Sequence, residues 1–146
     1  MNKKTLIILG IILIAVIYGV KCYEKSIEIN PQDDKAYYNM GFAYDNKGNY
    51  NKAIECYEKA IEINPQDDQA YYNMGNAYDN KGNYNKAIEC YEKSIEINPQ
   101  NDQAYYNMGI AYGNKGNYNR AIECFTIAAR MGNENAQKNL NIINGD

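Results

Sequence analysis

The side chains best placed to do chemistry are four cysteines, Cys22, Cys56, Cys90 and Cys124, one every thirty-four residues. Thiols at that spacing could pair as disulfides, ligate a metal or lie free. A disulfide framework is not expected to repeat in a single slot. Helices that pack as neighbours lie about 8–10 Å apart, and a disulfide needs Cα atoms within about 4.4–6.8 Å. Equivalent helices separated by a third are farther apart still. No close Cys-x-x-Cys pair and no histidine accompanies the cysteines, so a metal site lacks its usual ligands. Free thiols, buried or half-buried, are expected, with no metal and no cofactor.

Other chemistries find little support. The chain has no histidine, the side chain most used for acid–base work at neutral pH. It has no phosphate loop, no Gly-rich dinucleotide fingerprint and no nucleophile–base pair. Glu55, Glu58 and Glu62 lie at helical spacing beside Lys52 and Lys59, which describes a solvated, ion-paired face. Net charge is −3, and residues 31–146 hold 11 basic against 16 acidic groups, a net of −5. Nucleic-acid binding usually shows a basic footprint, so it is not expected. Catalysis is not expected either. Asparagine is abundant at turns and helix ends, and its abundance reads as drift that turns tolerate.

The elements that position these residues repeat. Residues 34–67 recur as 68–101 and 102–135, sharing A-Y-Y-N-M-G-x-A-Y-x-N-K-G-N-Y-N-[KR]-A-I-E-C-[YF] in one unbroken register. A fixed period of this size marks stacked supersecondary units. In the first unit Ala36, Tyr37, Met40, Ala43 and Tyr44 form the apolar stripe of an amphipathic helix. Asp33 or Asp34 can cap it, and Gly48 can end it in a left-handed C′ conformation. Tyr50, Ala53, Ile54, Tyr57, Ala60 and Ile61 form a second stripe, closed by Asn64-Pro65. Glycine inside a helix costs about 1 kcal/mol relative to alanine. Gly41, Gly75 and Gly109 carry that cost in the same slot, which predicts close backbone approach.

On these residues the chain resembles the tetratricopeptide repeat family. Tyr37 stands at the family's Trp position, Met40-Gly41 at its Leu-Gly and Tyr44 at its first Tyr. Ala53, Tyr57, Ala60 and Pro65 fill the later positions. The match continues through Tyr71, Met74, Gly75, Tyr78, Ala87, Tyr91, Ser94 and Pro99, then Tyr105, Met108, Gly109, Tyr112, Ala121, Phe125 and Ala128. It departs at Met for Leu, at Ser94 for Ala and at the missing Pro of the third unit.

The resemblance implies a concave face built by first helices and a protein or peptide ligand. The implied peptide-binding residues are Lys35, Tyr38, Asn39 and Phe42, then Gln69, Tyr72, Asn73 and Asn76, then Gln103, Tyr106, Asn107 and Ile110. Rigid tyrosine area beside amides suits an extended backbone. Asp45 and Asp79 on the same rim favour a neutral or basic ligand. Family members that clamp a terminal carboxylate use Lys, Asn and Arg here. Only Asn73 matches that set, so such capture is not expected.

Both ends of the chain depart from the repeat. Met1–Lys4 is basic, and Leu6–Val20 is fifteen uncharged residues, eleven of them Leu, Ile or Val. A membrane-spanning helix usually needs about 17–25 residues, and the flanking lysines can extend the run by snorkelling. An uncleaved signal anchor, a cleaved secretory signal, a lipoprotein signal and a buried soluble helix are the competing readings. Residues 20–31 match the second half of a repeat's second helix, so an anchor could run straight into the repeats.

The resulting expectation is an all-α, right-handed helical-hairpin solenoid with an N-terminal transmembrane helix and a C-terminal capping helix. Its parts are an anchor or signal over 1–20, a half repeat over 21–33, three repeats over 34–67, 68–101 and 102–135, and a cap and tail over 133–146. It would touch the membrane through residues 5–22, with its N-terminus in the cytoplasm and its repeats outside. Free thiols sit awkwardly with that placement, because disulfides persist in oxidising compartments. The functional expectation is a membrane-anchored adaptor that binds a protein or peptide. The alternatives are a structural subunit of a larger membrane complex and a secreted repeat domain.

Overall fold

Side-chain caps decide where each helix begins. The computed structural model describes residues 18–145. A first helix, α1, is described over residues 18–29. It is followed by α2 (Asp34–Asn46), α3 (Tyr50–Ile63), α4 (Asp68–Asn80), α5 (Tyr84–Ile97), α6 (Asp102–Asn114), α7 (Tyr118–Arg130) and α8 (Glu134–Asn144). The Asp33 carboxylate accepts from the Ala36 N–H at 3.0 Å, and Asp67 and Asn101 act likewise on Ala70 and Ala104 at 3.1 and 3.0 Å. The second helices α3, α5 and α7 start on Asn49, Asn83 and Asn117, each accepting from the backbone three residues on. A capping oxygen satisfies a donor that the helix cannot, and replacing it with Ala costs about 1 kcal/mol.

Asparagine therefore does a defined job, and the reading of it as drift is corrected. A second job recurs once per repeat. Asn64 Nδ2 donates to Asp34 Oδ2 at 3.0 Å, Asn98 to Asp68 at 2.9 Å and Asn133 to Asp102 at 2.8 Å. Each bond ties a residue just past a second helix, the next one for Asn64 and Asn98 and the third for Asn133, to the start of the first helix in the same repeat. Asn133 also caps α8, accepting from the Ala136 N–H at 2.9 Å.

The chain divides into two compact units after Pro65. In the first, α2 packs on α3. In the second, α4 packs on α5, α5 on α6, α6 on α7 and α7 on α8. Within each hairpin a glycine meets a ring. A Cβ on Gly41 would stand 2.8 Å from Tyr57, one on Gly75 2.6 Å from Tyr91, and one on Gly109 2.7 Å from Phe125. These rings are buried, as are Ala53, Ala60, Ala87, Ser94, Ala121 and Ala128 of the same helices. The turns rely on positive φ: Gly48 sits at 72°, and Asn49 N–H then returns to the Tyr44 carbonyl at 2.9 Å.

The membrane part of the sequence reading is overturned. Among the described residues no helix is long and apolar enough to cross a membrane. Twelve residues of α1 are described. They carry Lys21, Glu24, Lys25 and Glu28, all exposed. The expected transmembrane helix, and the single-pass placement with repeats outside the cytoplasm, are corrected on that finding. Residues 6–17, which hold most of the hydrophobic run, lie outside the described residues.

Candidate peptide-binding face

The first helices bring one tyrosine per repeat against the ring of its own second helix. Tyr38 lies 5.9 Å from Tyr57, Tyr72 6.0 Å from Tyr91 and Tyr106 5.7 Å from Phe125, tilted by 53°, 47° and 42°. Such tilted pairs are the favoured aromatic geometry. Each first-helix ring is half-buried, so it rests on the core and keeps one side accessible.

In the second unit three of the expected binding residues join one network. Asn76 Oδ1 accepts from the Tyr91 hydroxyl at 2.8 Å and from Asn107 Nδ2 at 2.9 Å. Asn107 Nδ2 also donates to the Tyr72 hydroxyl at 3.0 Å. The network links α4, α5 and α6. The Asn107 amide oxygen and the Asn76 amide nitrogen add an acceptor and donors that these three bonds do not use. One acceptor beside one donor is the complement of a peptide group. Burial raises the Tyr72 phenol above its ordinary pKa, and the amide donors work against that shift.

The other expected residues divide. Lys35 and Asn39 are exposed on α2, and Phe42 is 48% exposed. Gln69 is exposed and donates to Asp68 at 3.3 Å, while Asn73 is half-buried. Gln103 accepts from Asn133 at 3.4 Å, which draws it toward the end of its own repeat. Tyr106 and Ile110 lean on a core cluster of Ala121, Phe125, Ala128 and Ala136.

Two features of this face escaped the sequence reading. Tyr57 and Tyr91 were counted as core alone, yet the Tyr91 hydroxyl reaches the first-helix face. The slots vary together: Asn76 goes with Tyr91, and Ile110 goes with Phe125. The first repeat breaks the rule with Phe42 and Tyr57. The Tyr57 hydroxyl is buried without a hydrogen bond, and so are one oxygen of Asp45 and one of Asp79. Burial raises both carboxyls above their ordinary range. The third repeat has Gly113 in that slot.

The cysteines carry no reactivity into the face. Cys56, Cys90 and Cys124 are buried and Cys22 is exposed, and none of them is in a disulfide. Burial pushes the Cys56 and Cys124 thiols up to about 11.

Tetratricopeptide repeat profiles match residues 34–67, 69–101 and 90–123. Comparison with curated proteins gives no match. Among solved structures, a crystal structure of MamA is 33% identical with a TM-score of 0.76, covering 81% of this chain and 69% of that one. A second crystal structure of MamA is 32% identical with a TM-score of 0.76, covering 92% and 71%. A MamA structure titled MSR-1 C2 is 25% identical with a TM-score of 0.72, covering 80% and 67%.

Proposed function

Because the chain belongs to the tetratricopeptide repeat family, we propose that it is an interaction scaffold that holds an extended peptide segment of a partner on its first helices, without catalysis. The observation that carries this reading is the network of Tyr72, Asn76 and Asn107. It fixes two amides in place beside the half-buried rings of Tyr72 and Tyr106, and its bonds use only part of their donor and acceptor capacity. Fixed groups lose less entropy on binding than mobile ones. Ring area supplies affinity with little selectivity, and the amides set the register of the backbone. The acidic balance of the repeats favours neutral or basic segments.

A second reading is a structural subunit that uses its faces to build an assembly. It draws on α8, where Ile142 and Ile143 are 75% and 49% exposed. One double variant separates the two. Tyr72→Ala with Asn73→Ala is expected to weaken a peptide selected from a display library at least about tenfold, roughly one lost anchor's worth. Oligomeric state by light scattering is expected to stay unchanged. Retained binding would contradict the peptide reading, and lost assembly would support the subunit.

A further inference from the structure

The first repeat contains an unfilled polar demand that its neighbours lack. Tyr57 is 0% exposed, and its hydroxyl has no hydrogen-bond partner. An unmet buried polar group destabilises a fold by about 1–3 kcal/mol. In the second repeat the Tyr91 hydroxyl in the same slot is met by Asn76. In the third, Phe125 and Ile110 remove both partners. Only the first repeat keeps the hydroxyl and puts an aromatic ring, Phe42, where the acceptor would be.

Asp45 adds a second demand at the same place. It lies three residues after Phe42 on α2, so the two share a helix face. One of its oxygens is fully buried without a partner, and no cation pairs with it among the described residues. Lys52, a cation of the facing helix α3, lies over the Tyr44 ring at 5.2 Å. Gly41, one helical turn before Asp45 on α2, lies against the Tyr57 ring, which brings the two groups to one locality. An oxygen that can accept, a half-buried carboxylate with one unpartnered oxygen and an accessible ring form a complementary set.

We propose that Phe42, Asp45 and Tyr57 form a subsite for an arginine side chain of a peptide bound on α2. The guanidinium is planar, donates five N–H bonds in a fixed fork and stacks on aromatic faces. As the exposed Phe42 ring swings aside and then covers its face, the guanidinium donates to Asp45 and to the Tyr57 oxygen, which meets one of the two bonds that hydroxyl can make. A neutral donor can hydrogen-bond here but brings no charge to Asp45, and a carboxylate is repelled. The subsite rests on the peptide-binding reading and adds to it the chemistry of one ligand position.

The test is an NMR titration of the whole chain with two blocked nine-residue peptides of Gly, Ala and Asn. One carries a central arginine and the other carries citrulline, its neutral isostere. The arginine peptide is expected to shift the Asp45, Phe42 and Tyr57 signals and to bind at least about tenfold tighter, the scale of a charge-assisted bond. Asp45→Asn should bring the two peptides level. Phe42→Asn should do the same while raising the melting temperature, because it supplies the acceptor that Asn76 gives Tyr91. Equal binding of both peptides along the first helices would overturn the subsite and leave the peptide-binding reading intact. No response to either peptide would overturn both. An arginine preference that survives Asp45→Asn would also overturn the subsite.

Discussion

The hydroxyls of Tyr57 and Tyr91 differ by one partner, and that difference has a measurable sign. Tyr91→Phe removes a bond at 2.8 Å and leaves Asn76 short of a donor, so it should destabilise by about 1–2 kcal/mol. Tyr57→Phe removes a hydroxyl that bonds to nothing, so it should be neutral or stabilise by about 1 kcal/mol. Chemical denaturation of both variants checks the pair, and an equal loss in both would refute the assignment. The glycines were legible at this scale. Their repeated helical cost signalled close approach, and the rings of Tyr57, Tyr91 and Phe125 supply it. The Tyr57 hydroxyl was not legible. It becomes an orphan only once the Phe42 slot is known to face it, and the repeat pattern alone treats both residues as apolar.

At the scale of the element, small-against-large contact sets how closely each hairpin closes. Gly75→Ala would place a Cβ 2.6 Å from a ring that is 1% exposed. Alanine's better helix propensity, worth about 1 kcal/mol, works the other way. Overpacking in a core typically costs about 1–3 kcal/mol, so the clash should win. A lower denaturation midpoint at an unchanged m-value is the expected result, and a raised midpoint would show that the ring yields freely. Helix limits were largely legible, since Asp33 as cap and Gly48 as stop follow from side-chain chemistry. The clasps of Asn64, Asn98 and Asn133 were missed because each joins residues about thirty apart, beyond any local pattern. The transmembrane expectation failed for a different reason. Apolar content was weighed over Leu6–Val20, while the described part of α1 is a charged surface helix.

At the scale of the whole chain, the repeat period gave the family, and the family gave the general kind of partner. Ligand chemistry depends on which amides remain open and which carboxylates lack a cation, and those facts arise only from the packed helices. The central claim is that a partner segment lies on the first helices. Mapping backbone amide shifts of the whole chain against a library-selected peptide tests it most directly. The account predicts shifts at Tyr38, Asn39, Tyr72, Asn73 and Asn107, with Glu55, Glu89 and Glu123 on the exposed second-helix faces unmoved. Shifts centred on those glutamates, with the first helices silent, would contradict it.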